Sequence, residues 1–320
     1  MASALVAEVA RRLARRARWR PFEYAFWLAA LASVFLLPGR HLILTEIAWL
    51  ALFALSLDLI LGYAGIISLG HAAFFGLGSY VAALLAKHGR GSDLTRLMVT
   101  LGVALIMREI ANQIPDITGG ADGLQGVVVA PILGVFHFDI FGHVSYAYCL
   151  IVLFVLFLLA RRVVYSPFGL SLRAVKGNAL RASSIGISVN ARLVAIYTFA
   201  AFYAGVAGAL LAQTTAFASL DVFSFERSAD LLLVLIIGGT GYLYGGLIGA
   251  VIFKLMQDWI ANLTPQYWQF WIGLVLVLIV LVGRDRVGLW TGGVRALAER
   301  LTRRLAPGAA PVPVPPGEGH

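Results

Sequence analysis

The stretch 161–192, RRVVYSPFGLSLRAVKGNALRASSIGISVNAR, decides how the chain is read. It is a polar, basic island between two long apolar runs, and such a segment cannot lie in hydrocarbon. Its inner part, 171–184, has no proline, one glycine, and small and leucine residues among Arg173, Lys176 and Arg181. That composition predicts a short surface helix, reached through a turn at Ser166-Pro167-Phe168-Gly169 and left at Gly186. The plainer reading is a loop that is basic only because inner-face loops are basic. A bare topogenic loop needs only a few residues, however, and this one is long and reads as folded. A folded helix on that face with no site of its own points to docking of a soluble partner.

The flanking composition fixes the fold class. Of 320 residues, 60% are hydrophobic and 13% charged, with a mean hydropathy of +0.86. Soluble domains carry roughly 25% charged residues, so this is an integral membrane protein. Its apolar runs are too long for barrel strands, so the spans are helices. The expected fold is an all-α, polytopic transmembrane helix bundle of about 8–10 spans, some broken at glycines. The net charge of +9 sits in the tails and the island, not on a face patterned for nucleic acid. It reads as orientation and lipid-headgroup affinity. Cys149 stands alone in an apolar run and cannot form an intrachain disulfide.

Three regions are expected: a basic cytoplasmic segment 1–20, a membrane domain 21–290 with the island (161–192) as its cytoplasmic loop, and a basic, then Pro-rich disordered tail 291–320. Within the domain, apolar segments fall at 22–37, 42–61, 71–86, 94–114, 144–160, 193–215, two within 229–260, and 267–283. The segment after 61 is glycine-rich, with Gly62, Gly65, Ser68, Gly70 and His71 at membrane depth. Irregular backbone survives there only where protein buries it or it lines a cavity. These five are therefore candidates to line a translocation path, with tight helix packing as the bland alternative. Gly205 with Gly208, and Gly241 with Gly245 and Gly249, read as small-residue stripes that let helices approach closely. Lys254 and Asp258, at i and i+4, are expected to pair, and Trp268 and Trp271 to form an aromatic belt.

A count of crossings does not close. Both tails and the island are basic and should share the cytoplasmic side, which requires an even number of crossings between them. Four apolar segments follow the island, but five precede it. The short join 87–93 is where a crossing is expected to be lost; the other possibility is an extra membrane-embedded piece within 115–143.

Motifs of enzymatic chemistry are absent. Lys87, Lys176 and Lys254 are followed by His, Gly and Leu, so no phosphate-binding loop exists. No His/Cys set has metal-ligand spacing, and no nucleophile elbow occurs. Arg108 and Glu109 are adjacent and diverge by ~100° on a helix, so they form no relay between themselves. Asp58 is an intramembrane acid, functional by default or simply at the end of its span. The chain is expected to be no enzyme, with no catalytic, cofactor or metal residue.

The residues LGYAGIISLGHAAFFGLGSYVAALLA (61–86), MVTLG through ITGGADGLQG (98–126), SPFGLSLRAVKGNALRASSIGI (166–187) and GGTGYLYGGLIGA (238–250) resemble, in order, the LivM-like permease subunits of branched-chain amino acid ABC importers. The resemblance implies a multi-pass protein of the bacterial inner membrane, paired with a second, LivH-like permease subunit. Two ATP-binding cassette subunits would bind the ATP and dock on the cytoplasmic loops, and a periplasmic binding protein would deliver the substrate. The loop matching 171–187 is then the coupling helix, with Arg173, Lys176, Asn178, Arg181 and Gly186 as candidate ATPase contacts. Such relatives carry one more apolar span between the positions of Ala86 and Leu94, ending in a Leu-Arg-Gly motif that Arg90-Gly91 would continue. Urea or short amides are the alternative cargo. A stand-alone secondary carrier or channel is the alternative mechanism, which a better-developed set of buried charges would favour. A membrane-embedded enzyme has almost no residue support.

Overall fold

The computed structural model describes residues 17–37, 39–66, 93–124, 142–263, 265–267 and 270–274, with positions 8, 11, 13 and 277. Apolar stretches become helices because, in hydrocarbon, each backbone N–H and C=O must find its partner within the chain. In order these are α1 (Pro21–Leu36), α2 (His41–Asp58) continued by a π-helical turn (Leu59–Ala64), α3 (Asp93–Asn112) and α4 (Pro115–Thr118). There follow α5 (His143–Val164), α6 (Pro167–Gly177), α7 (Ala179–Ser184), α8 (Val189–Thr215), α9 (Phe225–Gly238) and α10 (Leu243–Leu263). Among the described residues there is no strand, only an isolated bridge between Leu124 and Ala218. The chain divides into two units, 1–259 and 260–320. In the second, the described residues include the paired rings of Phe270 and Trp271; Trp268 lies outside the described residues.

Among the described residues, three helical stretches are long and apolar enough to cross a membrane: His41–Ala64, His143–Val164 and Val189–Thr215. The pair Glu226–Gly238 and Leu243–Leu263 passes the same test only together, and it is bent by 110° at its break, as a broken span or a re-entrant loop would be. α1 is apolar but has 16 residues, about 24 Å, short of the ~30 Å hydrocarbon core. α3 has the length, but Asp93, Arg96, Arg108 and Glu109 set it apart from the others. The expected span at 71–86 lies outside the described residues, as does most of 267–283.

α2 is the axis of the first unit. Of its most apolar window 78% is buried, against 39% for α5 and 50% for α8, which turn their outer faces to the surroundings. Leu52, Leu55 and Leu57 are fully enclosed as α5, α8 and α9 pack around α2. Tyr203 of α8 is also fully buried, and its hydroxyl donates to the Leu156 carbonyl of α5 at 2.8 Å, which satisfies the one polar atom the ring brings inside.

Contacts at the helix ends give each helix its direction. Arg161, at the island end of α5, donates to Glu23 Oε2 at 2.6 Å and to the Ala17 carbonyl at 2.8 Å, with Trp19 stacked 4.5 Å from its guanidinium. Both charged side chains are buried. α1 therefore starts at the island end. Its other end reaches Tyr146 of α5 through Ser33 Oγ, 2.7 Å from the phenol oxygen. His41, which opens α2, stacks on His143, which opens α5, with ring centroids 3.8 Å apart. α2 then runs back to the island, where Lys176 reaches Gly62.

Leu124 is bridged to Ala218 just beyond α8, and Gly142 opens α5, so both lie at the end opposite the island. Residues 87–92 of the short join, where a crossing is expected to be lost, and 125–141 of the alternative segment lie outside the described residues.

Candidate functional site

The island folds as two helices rather than the single one expected over 171–184. Ser166 caps α6, its hydroxyl accepting the Gly169 N–H at 3.4 Å, and Pro167 fills the first helical position, where its missing N–H is not needed. A Cβ on Gly169 would overlap the Val164 carbonyl, so the chain turns tightly from α5 into α6. α6 ends at Gly177, and Asn178 takes an extended conformation (φ −162°, ψ 108°). Its Oδ1 then accepts the Arg181 N–H at 2.9 Å and starts α7. Asn178 is thus the elbow of the island. The exit is as the sequence implied: Gly186 has φ +86°, the left-handed region glycine adopts freely.

The two helices face different ways. In α6, Leu172 and Val175 are buried, and Lys176 reaches inward with its Nζ 2.6 Å from the Gly62 carbonyl. The Arg173 guanidinium lies 5.4 Å from the Tyr63 ring. In α7, only Ala182 is buried. Leu180 is 81% exposed and Ile185, just after the helix, 73%, with Arg181 exposed between them.

What α6 grips is the broken end of α2. After Asp58 the helix widens into its π-helical turn and closes at Gly65 (φ +78°), where the Ile66 N–H reaches back to the Ile60 carbonyl at 3.3 Å. Carbonyls in a last helical turn run out of internal donors, and Lys176 supplies one to Gly62. The stem of Lys176 packs on Gly65 so closely that a Cβ there would meet its Cγ at 2.8 Å.

On its other side, Gly62 touches the turn between α9 and α10. A Cβ on Gly62 would overlap both the Asp58 carboxylate and the Gly241 nitrogen. Asp58 is fully buried, and its Oδ1 accepts the Gly241 N–H at 2.7 Å. Lys176, Gly62, Asp58 and Gly241 thereby form one continuous path from the island to the glycine break.

The other glycines divide by role. Gly241 (φ +84°) belongs to the turn and not to a helical stripe. The close approach is made by Gly245 and Gly249 of α10 against Gly238 and Val234 of α9, backbone against backbone. Among the described residues nothing lies within 4 Å of where a Gly205 side chain would be, so none of them is approached there. Of the five path candidates, Gly62 and Gly65 are packed as described, while Ser68, Gly70 and His71 lie outside the described residues. Lys254, expected to pair with Asp258, forms an ion pair with Glu46 of α2 and donates to Gln257 Oε1 at 3.1 Å. Sequence reasoning missed Glu23. Its signal was a lone acid opening an apolar segment on a side otherwise lined with arginines.

A protein-family model described as branched-chain amino acid transport system / permease component matches residues 40–107 and 92–280. The chain belongs to this family. The two matched pieces overlap at 92–107. Curated relatives agree. The high-affinity branched-chain amino acid transport system permease protein LivM of Escherichia coli (strain K12) is 23% identical over 278 residues, 72% of this chain and 65% of the relative. LivM of Salmonella typhimurium is 24% identical over the same extent. A probable ABC transporter permease protein, YphD of Escherichia coli, is 30% identical over 143 residues, 42% of each chain. The chain thus spans about two thirds of the length of the LivM proteins. No solved structure matches it.

Proposed function

We propose that this chain is a membrane-spanning permease subunit of an ABC importer of the inner membrane, carrying branched-chain or other hydrophobic amino acids. ATP would be bound and hydrolysed by separate cassette subunits, a second permease subunit would complete the path, and a binding protein outside would deliver cargo. The observation that carries this reading is the division of the island. α6 is fastened to the broken end of α2 through Lys176, while α7 presents Leu180, Arg181 and Ile185 to solvent. A mobile ATPase could seat α7 and, through α6, push on the path from Gly62 to Gly241. Motion at one interface is then felt at the break between α9 and α10, as a two-state gate requires. Asn178 and Gly186 act here as the elbow and the exit of the docking element, and Arg173 supports the inner grip on Tyr63.

The test is reconstitution with its partner subunits in proteoliposomes. Leucine uptake that requires ATP and a binding protein is the expected result, with urea failing to compete. ATP hydrolysis indifferent to binding protein and substrate, or uptake driven by an ion gradient with no cassette subunit present, would sink the proposal.

A further inference from the structure

α2 and α10 touch near the glycine break and stand apart further on. At the break, Gly246 of α10 lies so close to α2 that a Cβ on it would meet the Ala54 carbonyl carbon at 3.0 Å and the Leu55 nitrogen at 3.1 Å. About two turns along both helices, toward the end opposite the island, they are joined by two long side chains, the ion pair of Lys254 with Glu46. The space between them therefore widens away from the island.

The ion pair stands on the inner face of α10. Leu247, Ala250, Lys254 and Gln257 follow at steps of three and four and share one side of the helix. Leu247 and Ala250 are enclosed. The opposite side carries Ile252, Leu255 and Trp259, all exposed, and is the side that hydrocarbon would meet. Yet the side chains of Lys254 and Glu46 are 23% and 40% exposed. On α2, Glu46 shares its face with Leu42, Trp49 and Phe53, and exposure there falls from 63% at Leu42 to 7% at Phe53. The wedge is thus open at the end opposite the island and closed at Phe53.

Its walls are polar where it is open. Gln257 accepts from Lys254 at 3.1 Å, and the charge of Lys254 also acts on Asp230 of α9. Charged side chains within membrane helices are costly against lipid and are found facing the bundle interior or water. Here the exposed charges belong to the side of α10 turned away from its apolar stripe, so water suits them and lipid does not.

We infer that the wedge between α2, α9 and α10 is a water-filled mouth of the translocation path, opening opposite the island, with the Glu46–Lys254 pair across it and Phe53 at its floor. The water-filled wedge stands on this geometry alone, whereas its place on a translocation path rests on the permease reading above.

The test is cysteine accessibility in the assembled transporter, in a Cys149→Ala background, with a membrane-impermeant methanethiosulfonate applied on the side opposite the island. The thiolate is the reacting form, and burial in hydrocarbon suppresses it. Gln257→Cys keeps both members of the ion pair and is expected to react at least about tenfold faster than Leu255→Cys on the apolar side. Glu46→Cys, on the facing wall, should match it. Modification at position 257 should block leucine uptake by filling the mouth. Reaction at 257 no faster than at 255 overturns the inference. So does reaction seen only once the chain is separated from its partner subunits, which makes the wedge a subunit interface, and so does modification that leaves uptake intact. The permease reading fails separately: a complex that never imports leucine rejects it, while fast reaction at 257 still establishes the water-filled wedge.

Discussion

Two consecutive helices of the island, α6 and α7, have similar composition and opposite duties. α6 buries Leu172 and Val175 and hands its lysine to the carbonyl of Gly62, whereas α7 leaves Leu180 and Ile185 in solvent. The difference is made by one residue, Asn178, which ends the first helix and caps the second. Basic charge alone therefore does not mark a docking surface. Of the cations the sequence offered as ATPase contacts, Lys176 and Arg173 are directed toward their own chain, and Arg181 faces outward.

If the inner side of the island is the structural one, damage there should cost stability first. The largest effect is expected from Glu23→Ala, which leaves Arg161 buried without its carboxylate. Breaking such a pair costs about 3–5 kcal/mol, read as a lowered midpoint in thermal or denaturant unfolding in detergent. A variant as stable as wild type would show that the pin between α1 and α5 is dispensable. Next is Gly62→Ala, whose methyl overlaps the Asp58 carboxylate and the Gly241 nitrogen. Overpacking of this kind costs about 1–3 kcal/mol, and uptake should be lost with it.

The outer side should behave in the opposite way. Leu180→Ser with Ile185→Ser is expected to change stability by less than about 0.5 kcal/mol while weakening recovery of the cassette subunits on purification at least about tenfold. Equal recovery of those subunits would erase the distinction between the two helices. The smallest effect is expected at the elbow. Asn178→Ala removes one cap, about 1 kcal/mol, and Asn178→Asp should restore it, as measured by helix content and melting.

Much of this was legible in the sequence because it is local. Ser166 followed by Pro167 announced a helix start, Gly186 an exit, and the apolar runs the spans. The division at Asn178 was harder to see, since Gly177-Asn178 reads equally as a helix interior of low propensity. The partners of Glu23 and Lys254 were not legible, because they lie 138 and 208 positions away and local spacing offered Lys254 a plausible but different neighbour in Asp258. The π-helical turn has no pattern of its own. Its glycines were visible, but their purpose came only from the Gly241 backbone pressed against Gly62. Ser68, Gly70 and His71 were named from the glycine run and lie outside the described residues.

The central claim is that Lys176 carries motion from a docked ATPase to the glycine break. The direct measurement is the number of leucine molecules imported per ATP hydrolysed by Lys176→Met in proteoliposomes with all partner subunits. The unbranched apolar side chain, one atom shorter, keeps the packing on Gly65 but cannot donate to Gly62. The account predicts cassette subunits still bound, ATP hydrolysis near wild type, and uptake per ATP reduced at least about tenfold. Wild-type stoichiometry in that variant would contradict it.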